Sequence, residues 1–219
     1  MIPLYDTNPT KTFCYVTITL IIANIAIFFS QITSVNYNMY LFQYGVTPLE
    51  IMNLKDIEPT IPFPVEITII TSMFLHGGFM HIAGNMLFLW IFGNNIEDVF
   101  GHAQFIIFYL LCGVAAVFAH IYQFSSSDLP LVGASGAISG ILAAYLIAFP
   151  QAKVHTLFWF FIIIKVIPIP AWLLISFWFI AQVMALGSSG QIAWGSHVGG
   201  FLAGIILYPV FKNVSKSTT

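Results

Sequence analysis

Six stretches of this chain are apolar for long enough to cross, or nearly cross, the hydrocarbon layer of a bilayer, about 30 Å of which takes roughly 17 to 25 helical residues. They run from Phe13 to Ser30, Phe79 to Val99, Ala103 to Tyr122, Leu131 to Phe149, Ala171 to Leu186 and Gln191 to Phe211. Within hydrocarbon every backbone amide has to be satisfied by the protein itself, so spanning segments are helices or the strands of a closed barrel. Continuous rather than alternating apolar character selects helices. With 59% hydrophobic and 6% charged residues, the chain lacks the polar surface of a water-soluble domain. The expectation is an all-α fold, a polytopic six-transmembrane-helix bundle forming a single membrane domain over residues 1–219. It has a short N-terminal segment (about 1–12), a structured external loop (about 31–75) and a C-terminal tail (about 212–219). Pro48, Pro59, Pro62 and Pro64 break that loop too often for a span.

Only Lys11 precedes the first span and no small-residue cleavage site follows it, so this span is expected to be retained. An even number of spans puts both termini on one side. Lys11, Lys153, Lys165, Lys212 and Lys216 then share that side, with Lys55 alone opposite. The positive-inside bias places the termini in the cytoplasm of a multi-pass cell-membrane protein. Net charge is -2 and arginine is absent, which leaves no footprint for nucleic acid. Cys14 and Cys112 fall in different spans and read as small packing residues. His76 and His81 are five apart with no HExxH glutamate between them, so a zinc protease is not expected. Glu97 and Asp98, at the far end of the second span, are expected to cap or bridge helices.

With that topology, spans two, four and six start from the same, external, face. His81 and Asn85 lie early in the second, Ser135 early in the fourth, a few residues after Pro130, and His197 early in the sixth. Each unpaired hydroxyl, amide or imidazole buried in apolar surroundings costs roughly 2 to 7 kcal/mol by transfer scales. Four at one depth are therefore expected to converge on one wet cavity opening toward the external face. Pro130 and Gly133 favour irregular chain before Ser135, which shortens the fourth helix and draws the preceding loop into the bilayer.

A serine hydroxyl needs a base to become a nucleophile, and a neutral imidazole suits that task near neutral pH. His197 is the candidate base for Ser135. A helix beginning at Ser135 offers free first-turn amides to a developing oxyanion. His81 and Asn85, four apart on one helix face, add side-chain donors. Gly133 permits an unusual turn and Gly136 is expected to clear space for the reacting carbonyl. No acidic residue lies near His197 in sequence or depth, so a dyad is expected, not a triad.

These motifs resemble those of the rhomboid intramembrane serine proteases. HGGFMHIAGNMLFLWIFGNNIEDVFG at 76–101 is similar to the family's second-span signature, GASGAISG to its nucleophile motif and AWGSHVGGFLAG at 193–204 to its histidine motif. IPIPAW at 167–172 with FWFIAQ at 177–182 resembles the fifth span and the cytoplasmic segment before it. The resemblance implies a rhomboid-type fold and cleavage of transmembrane protein substrates within the lipid bilayer. It assigns Ser135 as nucleophile, His197 as base, and His81, Asn85 and the Ser135 amide as oxyanion donors, with no cofactor. Two positions depart from the family pattern: Ile67 and Thr68 stand where many members have Trp-Arg, and Ser139 where some have an aromatic residue stacked on the histidine.

Competing explanations exist for most of these residues. Gly136 and Gly140, like Gly200 and Gly204, form GxxxG patterns that let membrane helices touch. A lone intramembrane histidine also suits a transporter, and a rhomboid-like protein without catalysis would simply bind transmembrane helices. The joint pattern favours the protease. Trp159, Phe160, Phe161, Trp172, Phe177, Trp178 and Phe179 read first as lipid-facing bulk. Among them Trp172, Phe177 and Trp178 are candidates for a lateral substrate gate.

Overall fold

The computed structural model describes residues 1–57, 61–160, 163–188 and 193–217; Pro59, Phe161 and the expected start of the sixth span at Gln191 lie outside the described residues. In chain order the elements are β1 (Ile2–Asp6), α1 (Tyr15–Thr33), α2 (Tyr37–Tyr44), α3 (Pro48–Asn53), α4 (Thr68–Thr71), α5 (Phe79–Phe88), α6 (Asn94–Phe100), α7 (His102–Gln123), α8 (Ser135–Ala148), β2 (Lys153–Phe160), β3 (Ile163–Pro170), α9 (Ala171–Met184) and α10 (Trp194–Ser217). A π-helical turn over Leu89–Gly93 joins α5 to α6.

Length and composition support three membrane crossings, Tyr15–Thr33, His102–Gln123 and Trp194–Lys212, or four if Val65–Phe74 and Phe79–Phe100, bent by 78°, count as one. The apolar helices α8 and α9 have 14 residues each, which at the helical rise is about 21 Å. Both are short against the hydrocarbon thickness.

Helix α8 is the centre of the molecule. Gly136 through Tyr145 are buried without interruption, as expected of a helix with neighbours all round. Small residues set how closely those neighbours approach. A Cβ at Gly200 would lie 2.8 Å from the carbonyl carbon of Gly136, and one at Gly204 would lie 2.7 Å from the Cα of Gly140. The two GxxxG patterns therefore face each other across α8 and α10, backbone against backbone. On the α7 side a Cβ at Gly140 would lie 2.6 Å from that of Cys112. Gly136 turns out to serve the same packing: its Cβ would run into Ala116 and lie 3.0 Å from Ser196 Oγ. The clearance expected for a substrate carbonyl is not what requires glycine there.

Glu97 and Asp98 secure the start of α1. The fully buried Glu97 accepts hydrogen bonds from the amides of Val16 at 2.9 Å and Thr17 at 2.7 Å, two donors that the first helical turn leaves free. It also pairs with His102 Nδ1 at 2.6 Å. Asp98 accepts from the Lys11 amide at 3.1 Å and from the amide and hydroxyl of Thr12 at 2.8 and 2.6 Å.

The expected all-α fold needs one correction, because the mostly helical chain also carries a three-stranded antiparallel sheet in the order β1-β2-β3. β2 and β3 form a hairpin running from Lys153↔Pro170 to Phe160↔Ile163, and β1 pairs with β2 from Ile2↔Leu157 to Asp6↔Val154. Val154, Thr156, Ile163, Ile164, Val166 and Ile167 supply the β-branched side chains that favour strands. Pro168 and Pro170 lie on β3, the edge strand, where a missing donor is tolerated. The N-terminal segment is thus built into the structure. Asp6 accepts from Tyr145 Oη of α8 at 2.5 Å and from Asn95 Nδ2 of α6 at 3.1 Å.

The described residues between α1 and α5 carry α2, α3 and α4 and are tied to the chain leading into α8. Val46 and Leu131 exchange backbone hydrogen bonds of 3.1 and 2.8 Å, and the Leu49 amide bonds the Ser127 carbonyl at 3.0 Å. Thr68, one of the two departures from the family pattern, is buried and donates its hydroxyl to the Val65 carbonyl at 2.5 Å. Ile67 beside it is exposed.

Candidate active site

Ser135 is the first residue of α8, preceded by Ala134 in a helical conformation and by Gly133 at φ +130°. The Gly133 amide is held by the Ser72 carbonyl at 2.9 Å. This fixes the turn from which the serine projects, beside first-turn amides that have no acceptor within the helix. One turn further on, Ser139 donates its hydroxyl to the Ser135 carbonyl at 2.7 Å. That is a back-bond within the helix, not a contact to the histidine.

His197 stands near the start of α10, one turn before Gly200. Because Gly200 and Gly204 bring α10 onto α8, the imidazole reaches the serine: His197 Nε2 lies 2.8 Å from Ser135 Oγ. Its other nitrogen, Nδ1, lies 2.7 Å from Gln182 Oε1 on α9. Trp178 and Trp194 flank the ring with centroids at 6.0 and 6.2 Å, the first tilted by 33° and the second perpendicular. These contacts occupy the place of the aromatic stacking that Ser139 cannot give.

His81 lies against the same turn. A Cβ at Gly133 would be 2.8 Å from His81 Nε2 and 3.6 Å from Ser135 Oγ, so only glycine admits this imidazole beside the serine. The Gly77 amide donates to His81 Nδ1 at 3.1 Å. A nitrogen that accepts carries no proton, which leaves Nε2 as the donor on the side facing Gly133. Asn85, one turn along α5, is buried and its Nδ2 has no hydrogen-bond partner. A buried donor without an acceptor is uncommon, and it suits a site where the acceptor arrives with a ligand. His76, fully buried, packs edge-on against His81 at 5.1 Å between centroids.

The three gate candidates separate. Phe177 and Trp178 border an apolar cleft of about 210 Å³ between α5, α8 and α9, whose other walls include Phe88, Phe92, Leu142 and Ala181. Met1 and Pro3 of the N-terminal segment also line it. Trp172 does not border the cleft; it is half exposed at the start of α9 near the sheet.

Sequence reasoning brought together Ser135, His197 and His81, and it missed Gln182. The only signal for that residue was an amide in an otherwise apolar helix, ending FWFIAQ, a pattern open to several partners.

A helical membrane-type bundle with a serine hydroxyl and an imidazole in contact at the start of two facing helices defines the class of this protein. The chain belongs to the rhomboid family: the Rhomboid domain model matches residues 66–213. It is 32% identical over 163 residues to Rhomboid protein 1, mitochondrial, of Saccharomyces cerevisiae, a match covering 69% of this chain and 44% of that protein. To the Presenilin-associated rhomboid-like protein, mitochondrial, of Homo sapiens it is 30% identical over 61% of this chain and 35% of the relative. To Rhomboid protease GluP of Bacillus subtilis it is 35% identical over 64% of this chain and 25% of the relative. The chain thus spans less than half the length of these relatives. The yeast and human matches overturn the cell-membrane, cytoplasmic-termini location read from the lysines, since both relatives are named as mitochondrial. Six lysines divided five to one carry too little charge asymmetry to identify a membrane.

Proposed function

We propose that this chain is an intramembrane serine endopeptidase of a mitochondrial membrane that cleaves transmembrane protein substrates in or near their helices. The observation that carries the reading is the 2.8 Å contact between Ser135 Oγ and His197 Nε2. In this mechanism Oγ attacks the scissile carbonyl carbon while Nε2 takes the hydroxyl proton. The oxyanion that forms is held by the Ser135 amide, by His81 Nε2–H and by Asn85 Nδ2. The imidazolium then gives its proton to the leaving amine, the C–N bond breaks and an acyl-serine remains. Water, deprotonated by His197, attacks the ester and releases the acid with Ser135 restored.

The domain is proposed to extend over residues 1–219 with six crossings, α8 and α9 being the short ones. The 14 residues of α8, short for a full crossing, support a position for Ser135 below one surface of the bilayer, reached by water from the chain before it. A substrate helix has to unwind locally to expose its peptide bond, and Phe177 and Trp178 border the apolar cleft through which it would be admitted.

The test is cleavage of a reporter transmembrane segment by wild type, Ser135→Ala and His197→Ala chains at matched membrane levels. Cleavage by the wild type alone is expected. Equal cleavage by all three would refute the mechanism and leave a helix-binding, non-catalytic rhomboid-like protein in its place.

A further inference from the structure

Among the described residues the group hydrogen-bonded to His197 Nδ1 is not a carboxylate but the Gln182 amide, whose orientation is fixed independently. Gln182 is 6% exposed. Its Nε2 donates to the Trp178 carbonyl one turn back on α9 at 3.2 Å. A carbonyl only accepts, so the NH₂ end of the amide must face Trp178 and the oxygen must face His197. That oxygen, 2.7 Å from Nδ1, is an acceptor without a proton. Nδ1 therefore carries the imidazole proton, and the lone pair of Nε2 faces the Ser135 hydroxyl at 2.8 Å.

We propose that Gln182 is a positioning residue for the proton transfer: through the chain Trp178 carbonyl, Gln182 amide, His197 imidazole, helix α9 sets the tautomer in which His197 can act on Ser135. The proposal rests on the protease reading for its consequence in rate, but the tautomer itself does not depend on that reading. A neutral acceptor does this without putting a second charge into an apolar interior, where an unpaired carboxylate would be strongly disfavoured. The cost is chemical: an amide stabilises an imidazolium less than a carboxylate does. Without the amide, no other hydrogen-bond partner of Nδ1 among the described residues selects between the two tautomers, and a population with the proton on Nε2 presents Ser135 with a donor instead of an acceptor.

Two measurements on the full chain test this, for wild type, Gln182→Leu and Gln182→Glu. The first is the ¹⁵N spectrum of histidine-labelled protein in bilayers, with the His197 signals assigned by their loss in His197→Ala. The wild type is expected to show a single Nδ1-protonated ring and Gln182→Leu a mixture. The second is the rate of Ser135 labelling by a fluorophosphonate, together with the pH profile of reporter cleavage. Gln182→Leu is expected to lower the labelling rate and kcat on the order of 10- to 100-fold, by analogy with the loss of the outer-shell partner of a metal-bound imidazole, with KM little changed. Gln182→Glu is expected to restore the rate and move the acidic limb of the profile upward by about one pH unit or more, because a carboxylate favours the charged ring. An unchanged His197 tautomer in Gln182→Leu, with unchanged labelling, would overturn the proposal. A wild-type chain that never labels, but whose tautomer still shifts in Gln182→Leu, would remove the protease reading and leave the positioning role standing.

Discussion

Two requirements meet at Gly133: a backbone at φ +130° and the absence of a Cβ, which would lie 2.8 Å from His81 Nε2. Gly133→Ala is expected to push the His81 ring away from Ser135 and to lower kcat on the order of 100-fold, since a displacement of about 1 Å at a reacting centre has that effect. His81→Ala and Asn85→Ala are each expected to lower kcat about 10²- to 10³-fold with KM little altered, the signature of donors used chiefly in the transition state. Steady-state cleavage of a reporter segment measures all three, and a change confined to KM would assign these residues to substrate binding instead. At this scale the sequence was most legible where a residue stands out chemically from its surroundings. Ser135, His197 and His81 are polar groups early in apolar stretches, and their convergence could be argued from solvation alone. Gln182 is just as polar, but its partner depends on how α9 is rotated against α10, which no spacing within a single helix reveals.

Among the elements, the pairing of α8 with α10 governs whether the hydroxyl and the imidazole meet. Gly204→Val, two turns from His197 and outside the reacting groups, is expected to force the helices apart against the backbone of Gly140. Overpacking of this kind costs about 1 to 3 kcal/mol. A lower thermal midpoint accompanied by slower fluorophosphonate labelling is the expected result; a lower midpoint with unaltered labelling would show that the site does not depend on this contact. Both GxxxG patterns were readable as contacts, though not that they face each other. The strands were not legible. Residues 153 to 170 form a nearly unbroken apolar run next to a span, with no alternation to mark a strand, and their β-branched content was the one local hint. The partner of β2 on its other side, β1, is some 150 residues distant in sequence. Helix α9 combines two tasks, since it borders the apolar cleft with Phe177 and Trp178 and holds the His197 imidazole with Gln182. On the proposed function, a substrate that displaced α9 on its way in would release His197 until the helix settled back.

For the molecule as a whole, the sheet is fastened to the bundle through Asp6. Burial raises the Asp6 carboxyl above its ordinary value of 3.8, against the lowering effect of its bonds from Tyr145 and Asn95. A raised value means that the folded chain holds the proton more tightly than the unfolded one. The stabilisation from protonating Asp6 is then complete below about 3.8 and is lost as pH rises through the higher folded-state value. Relative to Asp6→Asn, which does not titrate, the wild type is expected to gain thermal stability as pH falls through that window. A constant difference between the two midpoints would contradict this.

Sheet pairing also bears on how the chain enters its membrane during synthesis. β1 precedes α1 whereas its partner β2 follows α8, so residues 2–6 can pair only once the helices between them are in place. The strand can pair only if α1 has been threaded in the direction that leaves β1 on the hairpin's side. With α1 reversed, residues 2–6 would lie across the bilayer from the hairpin and one edge of β2 would stay unpaired. Closing the sheet thus requires one direction of the first span.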